Sequence, residues 1–188
     1  EARWVFEGKQ YESGHTVSGV PTGKYVVSFA DVPDWTRPGD AQVAVTKDGT
    51  ASAGGAYIKH TGSLTVSMEG PKEASWSING KGSYANGQTI GSLDVGPVTV
   101  SFSEIAGWTK PENLKVTIKN KEAAKASGVY IRHTGSVRVD ITGTKDGRWS
   151  LDGKGNYPGG WTEKNIPTGS YKIIFSDVTG RIKPEARP

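Results

Sequence analysis

Residues 55–68 read GAYIKHTGSLTVSM, and residues 128–141 read GVYIRHTGSVRVDI. His60 and His133 stand 73 positions apart, as do Tyr57 and Tyr130. The same offset joins Phe29, Phe102 and Phe175, then Pro38, Pro111 and Pro184, then Tyr11, Tyr84 and Tyr157. Trp4, Trp76 and Trp149 align too, with a one-residue deletion near Lys9 that shortens the first interval to 72. Matches in register across three copies make the chain a tandem array, which limits the fold more than any single residue does. The copies fall at residues 1–59, 60–132 and 133–188. The middle copy is whole. The first lacks the opening TGSLTV strand, and the third stops at GRIKPEARP, before its last two strands.

Within a copy the apolar period is two. Tyr25, Val27 and Phe29 share a face, as do Val98, Val100 and Phe102, and Tyr171, Ile173 and Phe175. Polar residues such as Ser28, Thr99, Ser101 and Lys172 stand between them. Leu64, Val66 and Met68 alternate with Thr65 and Ser67 in the same way, and Val137, Val139 and Ile141 alternate with Arg138 and Asp140. This is the pattern of antiparallel strands with one buried and one wet face. NG, DG, TG and PGG turn signals divide them. NKEAAKAS has helical propensity but is too short to stand as a helix, and it is read as a loop, like its first-copy counterpart KDGTASAG. The expected fold is all-β: tandem small immunoglobulin-like β-sandwich modules with a 73-residue repeat.

A module of that size buries limited surface and is marginal alone; end-to-end stacking about a tight turn would support it. The segments His60, Thr61, Gly62 and His133, Thr134, Gly135 are read as the inter-module hinges. With no cysteine, the chain can form neither a disulfide nor a thiolate site. The net charge of +4 is carried by lysines and arginines scattered among 19 acidic residues. No basic stripe forms, which speaks against nucleic acid. No apolar run approaches the roughly 18 residues of a membrane span. A chain beginning at Glu1, without a leader, is expected to be a processed product or an excised piece.

The order GSLTV, A-x-W-x-[IL]-[ND]-G, G-x-[YV]-x-[VI]-x-F, GWTKP and VTI carries a resemblance. In the middle copy these features sit at residues 62–66, 74–80, 96–102, 107–111 and 116–118. The pattern resembles the PEGA-type modules of bacterial and archaeal envelope proteins, over essentially the whole chain. The resemblance implies a non-catalytic sandwich module in a secreted or surface-displayed protein. The chain departs from the pattern at DWTRP in the first copy and at GRIKP in the third, where Arg181 replaces the tryptophan.

A search for chemistry yields no catalytic constellation and no cofactor or metal site. His60 and His133 are equivalent residues in separate copies, and their Tyr-Ile-x-His-Thr-Gly setting is architectural. Asp31, Glu104 and Asp177 are equivalent strand-end carboxylates, one per copy, not a converging pair. The DG pairs lack the spaced acidic ligands of a calcium loop, and no G-x-S-x-G elbow occurs. Trp4, Trp76 and Trp149 are read as core. Trp35 and Trp108, each in a turn beside threonine and proline, are candidates to stack on a glycan or a neighbouring chain. Trp161 in PGGWTEKN has no aromatic counterpart in the middle copy and is a third candidate contact residue.

Repetition suits a spacer better than an enzyme, because one constellation suffices for catalysis whereas a fibre needs one sturdy block many times. The expectation is a non-enzymatic, extracellular structural protein: modules of a surface filament, stalk or fibre that self-associates head to tail. The alternatives are a carbohydrate-binding or adhesion module and an accessory domain of a large surface enzyme.

Overall fold

In the computed structural model residues 1–185 are described, and every regular element among them is a strand. The first copy holds β1 (Arg3–Phe6), β2 (Lys9–Glu12), β3 (Gly23–Phe29), β4 (Trp35–Thr36), β5 (Ala41–Val45) and β6 (Ile58–Lys59). The second opens with β7 (Thr61–Glu69), β8 (Ser75–Ile78), β9 (Lys81–Ala85) and β10 (Thr89–Asp94). It continues with β11 (Gly96–Phe102), β12 (Trp108–Thr109), β13 (Leu114–Ile118), β14 (Ala123–Val129) and β15 (Ile131–Arg132). The third holds β16 (Thr134–Arg138), β17 (Arg148–Leu151), β18 (Lys154–Pro158), β19 (Thr162–Pro167) and β20 (Ile173–Phe175).

Turn chemistry sets the hairpins. Between β8 and β9, Asn79 and Gly80 have φ of 50° and 71°, a pair of left-handed residues that matches the twist of the flanking strands. Glu7–Gly8 (47° and 75°) and Asp152–Gly153 (49° and 75°) turn the equivalent hairpins β1–β2 and β17–β18.

The middle copy is a β-sandwich. One sheet has the order β13-β11-β8-β9 and the other β10-β7-β14. Between them Leu64, Val66 and Met68 of β7 meet Trp76 and Ile78 of β8, Val100 and Phe102 of β11, and Ile118 of β13. Leu64, Val66 and Val100 are wholly buried. Each such side chain contributes about 1.5–3 kcal/mol on leaving water. The indole of Trp76 donates to the Ala85 carbonyl at 2.9 Å, so its polar edge is satisfied inside the core. Trp4 and Trp149 make the corresponding bonds to Glu12 and Pro158, at 2.8 and 3.1 Å.

β7 is the centre of its sheet, antiparallel to β10 and parallel to β14 from Ser63↔Ala123 to Glu69↔Val129. The parallel partner corrects the reading of NKEAAKAS as a loop: residues 123–129 form β14. The free edge of β7 offers it a ladder, and the small side chains of Ala124 and Ala126 fit against the core, so tertiary pairing overrides helical propensity. The corresponding residues 50–56 of the first copy form no strand. No strand equivalent to β7 lies beside them.

The third copy pairs β16 with β19 and β17 with β18 and β20. Its described core is smaller: Val139, Trp149 and Leu151, with Tyr171, Ile173 and Phe175 packed partly against them.

Candidate contact sites

The tryptophan turns and the histidine segments prove to be one construction. β4 pairs with β6, setting Trp35 opposite Lys59, and β12 pairs with β15, setting Trp108 opposite Arg132. In each ribbon the cation lies over the indole, at 6.0 Å for Lys59 and 5.5 Å for Arg132. His60 Nε2 is 3.0 Å from Thr36 Oγ1, and His133 Nε2 is 2.8 Å from Thr109 Oγ1. The His60 and His133 amides donate to the carbonyls of Asp34 and Gly107, each at 2.8 Å. Each histidine thus ties its own tryptophan turn to the chain entering the next copy.

Four of the six residues read as hinges lie within strands. Thr61 and Gly62 belong to β7, and Thr134 and Gly135 to β16; only His60 and His133 stand between strands. Gly62 is buried, and a Cβ there would lie 2.4 Å from the Lys119 carbonyl oxygen and 2.9 Å from that of Glu122. It is a glycine of close approach, not of bending. Around Gly135 nothing lies within 4 Å of an added Cβ.

Trp108 is half-buried against the core near Ile105, Trp35 is 38% exposed, and Trp161 is the most open at 50%. Trp161 stacks on Tyr157 with centroids 6.5 Å apart and planes within 10°, and its indole donates to Glu163 at 3.0 Å. Desolvation, with the Glu163 carboxylate next, pushes the Tyr157 phenol above its usual value of 10.

The carboxylates at strand ends each face a cation: Arg37 lies 3.6 Å from Asp31, Lys110 2.7 Å from Glu104 and Lys183 3.0 Å from Asp177. These are exposed pairs of small energetic consequence. Arg37 also bonds Asp40 at 2.9 Å, and that bond first, with the charge of Asp40, holds its guanidinium above the usual value. Among the described residues no group of histidines and carboxylates is arranged to hold a metal ion.

A groove of about 710 Å³ lies in the first copy. Its floor is Trp4, Phe6, Val27, Phe29, Val43 and Val45, and residues 13–20 and 49–55 form its walls. The missing opening strand was visible in the sequence. That both walls would remain unpaired was not, because loss of pairing is a property of the absent neighbour.

No protein-family model matches the chain, and no curated protein matches it. Among solved structures it is similar to the Bacillus anthracis TIE protein, with 15% identity and a TM-score of 0.50. The match takes in 98% of this chain and 45% of that one, so this chain spans less than half of that protein's length. At such identity the likeness concerns the fold alone.

Proposed function

We propose that the chain is a non-enzymatic run of small immunoglobulin-like, PEGA-like β-sandwich modules with a 73-residue repeat, from an extracellular or cell-surface filament, stalk or fibre that assembles head to tail. The observation that carries this reading is the recurrence of one set of structural bonds at the repeat interval. The Tyr57 hydroxyl donates to the Ala30 carbonyl at 2.6 Å, and Tyr130 donates to Ser103 at 2.8 Å. The His–Thr and Trp–cation pairs recur likewise. What recurs is packing and linkage, and the two end copies carry strand edges without partners, which invite another chain.

Sedimentation of residues 1–188 against a variant ending at Arg148 tests the assembly. Concentration-dependent growth of the longer chain, lost in the shorter, is expected. Monomers of both at high micromolar concentration, with the third copy still ordered, would overturn it.

A glycan-binding reading draws on Trp161, whose ring is half-exposed and stacked on a second aromatic. Trp35 and Trp108 serve it less well, since a cation already lies over each ring. Glycan-array binding abolished by Trp161→Ala would favour this reading over the structural one.

A further inference from the structure

The groove of the first copy has the shape of a missing strand. Past the deletion near Lys9, residues 16–21 correspond to β10, and residues 50–56 to β14. In the middle copy β7 runs between those two elements, antiparallel to one and parallel to the other. In the first copy neither segment is a strand. The floor residues Trp4, Phe6, Val27, Phe29, Val43 and Val45 correspond to Trp76, Ile78, Val100, Phe102, Val116 and Ile118. These are the positions over which Leu64, Val66 and Met68 pack in the middle copy.

We propose that this groove is a strand-acceptor site, which takes one extended polypeptide strand from outside residues 1–188 and so completes the sheet whose central member the first copy lacks. The inference rests on the tandem-sandwich reading above. An apolar floor spaced at two residues, between walls that belong to no strand ladder, suits a pleated peptide. A sugar would leave its hydroxyls against that floor without partners. The required pattern follows from β7: a glycine where Gly62 meets the Lys119 carbonyl, then apolar side chains two, four and six positions later. The clamp on β7, where Asn86 accepts from the Met68 amide and donates to the Met68 carbonyl at 2.7 and 2.8 Å, has Ser13 in its place here. Recognition therefore relies on the ladder and the apolar row.

The probe is a synthetic peptide of residues 60–70, HTGSLTVSMEG, titrated into the 188-residue protein with amide exchange followed residue by residue. Saturable binding is expected, with exchange slowed at residues 16–20 and 50–56. A peptide with serine at the Leu64, Val66 and Met68 positions should bind at least about tenfold more weakly. Ala53→Arg, on an exposed wall, should do the same to the parent peptide without unfolding the protein. A second protein carries the same strand fused ahead of Glu1, where the five-residue link from β7 to β8 can be reproduced; slowed exchange at the two walls there supports the site even if the free peptide binds poorly. Unchanged exchange at both walls in the fused protein and with the peptide up to about 1 mM, or equal binding of the serine peptide, overturns the proposal. The readout is confined to the groove, so its failure is distinct from a failure of head-to-tail assembly, which sedimentation reports.

Discussion

At Gly128 a Cβ would lie 2.7 Å from the Phe102 ring and 2.8 Å from the Pro111 ring; at Gly55 it would meet Phe29 and Pro38 in the same way. The glycine, the phenylalanine and the proline recur together because the aromatic ring needs the bare backbone above it. Phe102 is 4% exposed, with its ring edge-on to Tyr130. Phe102→Ala should therefore cost about 3–5 kcal/mol through the cavity it leaves, measured by denaturant unfolding; a loss under about 1 kcal/mol would mean that the ring does not carry the core. Tyr157 offers a titration. Its folded-state value lies above that of the unfolded chain, so the associated stability is present below pH 10 and is lost as the pH rises further. Glu163→Gln should lower the phenol's value in an ultraviolet titration, and no movement would deny that carboxylate a part. At this scale the sequence was readable: alternation put Leu64, Val66, Met68, Val100 and Phe102 on inward faces, where all are buried. Less readable were Thr61 and Gly62, because a turn signal and a close backbone approach both call for glycine.

For the elements, pairing decides what propensity does not. AAKASGV is a strand beside β7, while TASAGGA, with no such neighbour, remains irregular. No local rule distinguishes these segments, since what separates them lies dozens of residues away in the chain. The seating of β7 depends on the two Asn86 bonds to Met68, which are partly buried. Asn86→Ala should lower the stability of the middle copy by about 1–3 kcal/mol, since it leaves backbone groups unsatisfied. Faster amide exchange at Met68, with exchange at Val116 unchanged, would show that the loss is local to this strand.

At the scale of the whole molecule, the 73-residue period read in the sequence meets bonds that recur at the same interval, Tyr57 to Ala30 and Tyr130 to Ser103. Three of its consequences follow from completeness: a full sandwich in the middle, a smaller core in the third copy and an open groove in the first. Lys59 joins two copies through Asp94 at 2.6 Å, but the equivalent pair is gone at the next junction, where Pro167 stands. Beside it, within the third copy, the Thr168 amide donates to the His133 carbonyl at 3.0 Å. The two junctions should therefore respond differently to salt. Screening weakens an exposed ion pair and leaves the amide bond, so hydrogen exchange at high ionic strength should loosen the contact at Asp94 while sparing Thr168. Equal responses at both would show that the ion pair has no part in the junction.

The parallel pairing of β7 with β14 has a mechanical meaning. The chain enters the middle sandwich at Thr61 and leaves it beyond Val129, at opposite ends of one seven-residue ladder. If the array is pulled from both ends, these two strands are drawn past each other along their axes. The bonds of the ladder then share the load in shear, instead of opening one by one like a zip. The first copy has no such ladder, since residues 50–56 run beside an empty groove. In single-molecule stretching the first copy should give way at low force and the middle copy last. A strand seated in the groove and continuous with the chain ahead of Glu1 would lie along residues 50–56 as β7 lies along β14, so that a pull would load that contact too in shear.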